Sequence, residues 1–223
     1  MSKTKEKRET IVTPVGVMKY GWLTKPNVKF NENGVYSVDL VVSKEAAQPL
    51  CDKLTKMAED FRAQSVKEDA TVKGYELYVP FIEEEVDGEK TGNIVFKLKQ
   101  NATFKHPKTG ERQNVKINIF DSAKKPLVNP KIGRGTKLKA AFNPNFILMP
   151  PKKQGKITIP GTVGISTYLK AVQILDLVEY TGGGDAASYG FGAEDGYVDT
   201  QEATEPEAVG AGVGDDTVKG GDF

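Results

Sequence analysis

The chain has 223 residues, with 31 Lys+Arg, 30 Asp+Glu, one His and one Cys. A lone cysteine excludes an intrachain disulfide, and one His with one Cys leaves too little for a metal centre or a Cys–His nucleophile. The near-neutral total hides a division. Residues 1–180 hold thirty bases and twenty acids, a balance of +10, whereas residues 181–223 hold ten acids and one base, Lys219, a balance of −9. A basic body tied to an acidic tail points to nucleic-acid binding with a detachable internal competitor.

The start, Met1 to Glu9, is charged and has no apolar segment of signal-peptide type behind it. No stretch approaches the roughly 18 apolar residues that a bilayer span needs, and no basic amphipathic helix offers a membrane-surface face. The expectation is a cytoplasmic protein without membrane association. Residues 1–10 read as a flexible basic N-terminus, and the ordered body is expected over 11–181.

Residues 11–42 read as extended. Val38, Leu40 and Val42 alternate with Ser37, Asp39 and Val41, just after the turn signal Asn33-Gly34. A helix is expected from Pro49 to about Val66, because Leu50, Leu54, Met57 and Phe61 form one apolar stripe and Pro49 suits a first turn. Cys51 lies beside that stripe as a packed thiol. Tyr75 to Ile82 reads as a short strand. Ile94, Phe96 and Leu98 then alternate with Val95, Lys97 and Lys99, and Val115, Ile117 and Ile119 with Lys116, Asn118 and Phe120. His106 to Gly110 reads as the hairpin loop between them. Leu138, Ala140 and Phe142 alternate with Lys137, Lys139 and Ala141, and a bulged final strand is expected over Gly164 to Tyr180. Many strands, one helix and glycines at the bends predict a mainly β protein built on a small closed antiparallel barrel. Gly182-Gly183-Gly184 marks a hinge, and 182–223 has too little apolar surface to fold alone, so it reads as a disordered acidic tail.

Catalytic patterns are absent. Glu83-Glu84-Glu85 reads as solvated like charges in a loop, and His106 as a solvated loop residue. Gly133-Arg134-Gly135-Thr136-Lys137 lacks Walker spacing and feeds a strand. The chain is expected to be no enzyme and to need no cofactor or metal.

Nucleic-acid chemistry is present. Sequence-tolerant single-strand binding combines a basic groove for the backbone with aromatic faces for unpaired bases. Lys97 and Lys99 share one face of a strand, Lys105, Lys108 and Arg112 crowd the next turn around Phe104, and Lys116 follows. Lys137 and Lys139 repeat the two-residue spacing, and Lys152, Lys153 and Lys156 cluster later. Near the start, Lys19-Tyr20-Gly21-Trp22 puts both aromatics on one strand face, with Lys25 beyond. Lysines outnumber arginines 27 to 4, which suits backbone tracking over base readout. These residue types leave DNA and RNA equally open, the latter as for an RNA-binding OB-fold chaperone. A protein-interaction adaptor whose acidic tail docks on a partner is the reading from another class.

Several segments occur in a telling order: Gly34 to Leu40, Phe96-Lys97-Leu98-Lys99, Gly135 to Lys139, Gly182 to Asp185, Gly196-Tyr197-Val198 and the terminal Gly221-Asp222-Phe223. Together they resemble the replicative single-stranded DNA-binding protein family of T7-type tailed bacteriophages, from about Tyr20 to the last residue. The resemblance implies an OB fold, a five-stranded barrel with one added helix, that coats single-stranded DNA in phage replication, recombination and repair. It implies a tail that competes for the DNA groove and recruits DNA polymerase and helicase–primase, with Asp215, Asp216, Asp222 and Phe223 as its contacts. A homodimer formed by tail exchange and a location in the host cytoplasm are implied as well. By motif, Lys99 and Lys139 match basic groove positions, and Tyr20 and Trp22 match aromatics ahead of Lys25-Pro26. The chain departs from the family after Lys139. There the family has aromatics in a short loop, while this chain has Phe142, Phe146 and a longer insert from Met149 to Thr162. Phe146 is the stacking residue expected in that segment.

Overall fold

A computed structural model describes residues 9–29, 31–105, 109–155 and 157–180. Five long strands carry it: β1 (Gly16–Asn27), β2 (Val35–Ser43), β3 (Glu89–Asn101), β4 (Lys137–Met149) and β5 (Thr162–Asp176), with helix α1 (Lys44–Glu68) following β2. They hydrogen-bond in the order β5-β4-β1-β2-β3, each pair antiparallel. The Lys99 amide on β3 donates to the Thr167 hydroxyl on β5 at 3.0 Å, which brings the two ends of the sheet together. The result is a five-stranded closed barrel of OB type: the residue pattern implied a small antiparallel barrel, and the family resemblance its OB type.

The period-2 pattern decides which faces are wet. On β2, Tyr36, Val38, Leu40 and Val42 are buried, while Val35, Ser37, Asp39 and Val41 face outward and are half-buried. Leu40, Phe96, Leu98, Leu138, Phe142 and Leu169 fill the barrel interior, and Leu54 of α1 closes one end. Each such side chain contributes about 1.5–3 kcal/mol through burial alone.

The helix is longer at its start than the pattern suggested. It begins at Lys44, directly after β2, so Pro49 is its sixth residue and stands inside it. Ala47 is fully buried and requires that first turn. The amide that Pro49 lacks would have bonded the Glu45 carbonyl, and both residues are exposed, so the missing bond falls on the solvent side of the helix. Cys51 is a packed thiol as expected, and burial, with Asp52 beside it, pushes it up to about 11.

Three strand expectations are corrected. The single strand over Tyr75 to Ile82 is two: Glu76–Tyr78 runs parallel to β5, and Phe81–Val86 pairs with β3. Pro80, which cannot donate to a ladder, sits where the chain changes partner. The strand expected over Val115 to Phe120 is only its second half, and a separate short strand precedes it. Arg112–Asn114 forms a small hairpin with Thr103–Lys105, while Asn118–Phe120 lies parallel to β5. Lys116 is therefore in an exposed connection and not on a strand. The final strand ends at Asp176; register shifts against β4 leave Lys170 and Leu175 as extra residues, the expected bulges. Beyond it, the Gly133 amide bonds the Val178 carbonyl at 2.7 Å and the Tyr180 amide bonds the Lys131 carbonyl at 3.1 Å. The insert from Met149 to Thr162 is a hairpin, with Lys152–Gln154 paired to Ile157–Ile159.

Of the stretch 1–10, residues 9 and 10 are described. Lys53 holds the Glu9 carboxylate at 2.6 Å, and the Asn143 amide donates to the Glu9 carbonyl at 3.0 Å. The remainder of that stretch, His106, Lys108, Lys156 and the tail with Asp215, Asp216, Asp222 and Phe223 lie outside the described residues.

Candidate nucleic-acid interface

An open groove of about 860 Å³ runs along β1, floored by Met18 and Leu23 and walled by the segment Asn129 to Arg134 and by Tyr180. Two rows of side chains cross the outer barrel face beside it. Tyr20 is in register with Asp39 and Asp39 with Lys97; one step along, Trp22 is in register with Ser37 and Ser37 with Lys99. Each row thus runs aromatic, small polar or acidic, lysine. A register shift at Lys19 makes this possible, because it lets Met18 point inward and Tyr20 outward two residues later. Tyr20 is 61% exposed and Trp22 50%, so neither is a core residue despite its size. Lys25 is exposed on the groove wall.

The opposite wall was not legible as a binding element. The Arg134 guanidinium lies over the Tyr20 ring, 5.9 Å from its centroid, as a cation–π partner. The buried Thr136 hydroxyl donates to the Gly133 carbonyl at 2.8 Å, and accepts from the Val178 amide at 3.1 Å. The Gly135 amide bonds the Met18 carbonyl at 2.9 Å. A Cβ on Gly133 would stand 2.9 Å from the Val178 carbonyl oxygen, so this close approach requires glycine. The glycine-flanked segment that faintly resembles a phosphate loop therefore pins the segment 177–180 and presents Arg134 and Lys131 to the groove. An arginine between two glycines, in a chain with four arginines, was the signal available. Tyr180, 62% exposed, reaches the groove only because the chain crosses over after Asp176.

The structure distributes the other expected residues. Phe104 is 45% exposed on the small hairpin, and Lys105 stands opposite Arg112 there. Two cations facing each other repel and favour an anion between them. Lys139 lines a separate recess with Val12, Phe120 and Lys124, away from the aromatic pair. Lys137 is exposed and paired with Asp176 at 3.1 Å. Phe146 lies late on β4 and packs on Phe61 of α1, ring centroids 4.9 Å apart, outside the groove.

Lys19 lines the groove, but its ammonium is engaged. It donates to Glu84 at 2.7 Å, and Thr91 and Asn93 donate to the other oxygen of that carboxylate at 2.9 and 3.1 Å. Glu84 is thus a buried, fully bonded strand residue, which corrects the reading of Glu83-Glu84-Glu85 as a solvated loop cluster. Glu83 is paired as well, with Lys44 and Lys90. Only Glu85 of the three is exposed with neither a side-chain hydrogen bond nor an ion pair among the described residues, although it stands in register with Lys90. The hydrogen bond from Lys19, with that from Asn93, pulls the Glu84 carboxyl from 4.5 to about 2. A lowered carboxyl stabilises the fold while ionised, so this contribution is complete above 4.5 and is lost as pH falls towards about 2. Glu84→Gln should melt lower at neutral pH and lose less stability across that acid window than the wild type. Parallel pH profiles of the melting temperature would refute it.

Asp39 differs from the other acids. Burial raises its carboxyl above the ordinary range, and Lys97, Lys99 and Lys19 pull it back. Among the described residues no group of three or more His, Cys, Asp and Glu could hold a metal ion, and no helix is long and apolar enough to cross a membrane.

The family model described as single-stranded DNA-binding protein of bacteriophage T7 matches residues 15–154. The single-stranded DNA-binding proteins of Enterobacteria phage T3 and Escherichia phage T7 are each 28% identical over 186 residues, covering 74% of this chain and 75% of theirs. The crystal structure of gp2.5, a single-stranded DNA-binding protein encoded by bacteriophage T7, superimposes with a TM-score of 0.63 at 28% identity, covering 86% of this chain and all of that one. The family match covers more than half of the sequence and includes all of β1 to β4. The chain belongs to the family of T7-type phage single-stranded DNA-binding proteins.

Proposed function

We propose that this protein coats single-stranded DNA, largely without sequence preference, during phage DNA replication, recombination and repair in the host cytoplasm. The observation that carries this reading is the pair of cross-barrel rows, Tyr20–Asp39–Lys97 and Trp22–Ser37–Lys99. Bases stack on the exposed rings while phosphates follow Lys97, Lys99 and Lys25, each stacked base contributing about 1–3 kcal/mol. Arg134 adds a planar cation over one face of the Tyr20 ring. Phe104, Lys105 and Arg112 on the small hairpin extend the path, and Lys116, Lys137 and Lys139 add positive potential around it. Nothing in this mechanism needs a cofactor.

The acidic tail, 182–223, acts in this proposal as a tethered competitor. The described body ends at Tyr180 on the groove wall, so the chain that continues from it starts beside the DNA path. A tether of that length gives an effective concentration in about the millimolar range. Its carboxylates occupy phosphate positions and Phe223 takes the place of a stacked base. DNA displaces the tail, and Asp215, Asp216, Asp222 and Phe223 become available to DNA polymerase, to helicase–primase, or to a second copy as a homodimer.

A salt titration of poly-dT binding, with the full chain and with a chain ending before Gly182, tests both parts. The logarithm of affinity should fall linearly with the logarithm of salt, by about 0.7 per phosphate neutralised. The truncated chain should bind more tightly, most visibly at low salt, where charge competition is least screened. A flat salt dependence rejects the groove, and equal low-salt affinities reject the competing tail. Matched RNA oligonucleotides in the same assay separate a DNA coat from an RNA chaperone.

A further inference from the structure

Asp39 is a carboxylate in the middle of a surface that must receive a polyanion. It stands in register between Tyr20 on β1 and Lys97 on β3, half-buried on the outer face of β2. Its charged neighbours are Lys97, Lys99 and Lys19, and the Lys19 ammonium is already bonded to Glu84. Among the described residues nothing donates a hydrogen bond to it or forms an ion pair with it. A half-buried carboxylate left unbonded is costly, and beside a phosphate track it also repels the ligand. Backbone tracking alone gives no reason for it.

The row geometry supplies one. With phosphates along Lys97 and Lys99 and a base stacked on Tyr20, the edge of that base lies over the middle strand. Cross-strand side chains there are about 4.5–5.5 Å apart at Cβ, within reach of a hydrogen bond from carboxylate to base. We propose that Asp39 accepts hydrogen bonds from the Watson–Crick edge of the stacked base and gives the face a preference for guanine over thymine. Guanine offers N1–H and N2–H side by side, which a carboxylate accepts with both oxygens. Adenine and cytosine offer one amino group. Thymine offers N3–H between two carbonyls that repel the carboxylate. The neighbouring row has neutral Ser37 in the same place, so the preference belongs to one nucleotide per bound protein and the remaining contacts stay sequence-tolerant.

This inference rests on the single-stranded DNA reading, and one experiment separates the two. The full chain, Asp39→Asn and Asp39→Ala are titrated at fixed salt with oligothymidylates in which every third base is thymine, 7-deazaguanine or hypoxanthine. The deaza base keeps the Watson–Crick edge while preventing quadruplexes, and hypoxanthine lacks the amino group. The wild type should bind the deazaguanine oligonucleotide about fivefold more tightly than the all-thymine one, with hypoxanthine between. Both variants should show no preference while binding the all-thymine oligonucleotide at least as tightly, because a negative charge is gone. Equal wild-type affinities, or a preference that survives in both variants, overturn the role of Asp39. Failure of the wild type to bind any of the three overturns the DNA reading itself.

Discussion

Truncating Trp22 to alanine should weaken binding to single-stranded DNA by about 1–3 kcal/mol, the worth of one stacked base. The ring is half exposed and has no ring partner among the described residues, so it is free to receive a base. Its loss leaves the barrel core untouched, because the Trp22 ring is on the outer face of β1 and is not among the core side chains, which include Met18, Leu40, Phe96 and Phe142. The effect should therefore appear in affinity and hardly at all in the melting temperature. Tyr20→Ala should cost less, because the Arg134 guanidinium over that ring remains to stack on a base in its place. Trp22 is the single tryptophan, so the wild type offers a second readout. Its fluorescence should be quenched by single-stranded DNA and not by duplex. Unchanged poly-dT affinity in Trp22→Ala would remove Trp22 from the binding surface.

Gly164→Ala should destabilise the barrel by about 3 kcal/mol or more. Gly164 has φ of +152°, and a Cβ built there would stand 2.0 Å from the Tyr78 carbonyl oxygen and 2.8 Å from the Tyr78 amide nitrogen. Both obstacles are backbone, in the parallel pairing of Glu76–Tyr78 with β5, and neither can rotate aside. Relief requires that strand to leave β5, or β5 to shift against β4, where Gly164 faces Ile147. The midpoint of urea unfolding should fall with little change in slope. Gly164 does not line the groove, so DNA affinity of the folded variant should be close to that of the wild type. An unchanged midpoint would show that the close approach does not constrain the barrel.

The legible parts share one property: each is a pattern within a single segment. The alternation in β2, β3 and the first half of β4, and the apolar stripe of α1, place Val38, Leu40, Phe96, Leu98, Leu138 and Leu54 in the core, where they are. The same alternation places Lys97 and Lys99 outside, and Tyr20 and Trp22 together on one face. The misreadings fall where a partner from elsewhere in the chain decides the outcome. Glu84 looks like one of three solvated carboxylates until the bulged Lys19, 65 residues away, reaches it. Val115 to Phe120 alternates well enough for one strand, but only Asn118–Phe120 finds a partner strand, β5. The contact of Phe146 with Phe61 of α1 was likewise invisible in the sequence, although that ring stays 48% exposed.

By itself, then, the sequence determined the charge division, the mainly β architecture, the single helix and the residue types of a single-strand binding face, because period, composition and net charge are local sums. Only the tertiary structure decided which of those residues meet. Barrel closure and strand register placed Asp39 between Tyr20 and Lys97, brought Arg134 over Tyr20, sent Lys139 to another recess, and set Tyr180 on the groove wall. Register is fixed by pairing between distant segments, and a one-residue shift moves every side chain of a strand to the opposite face.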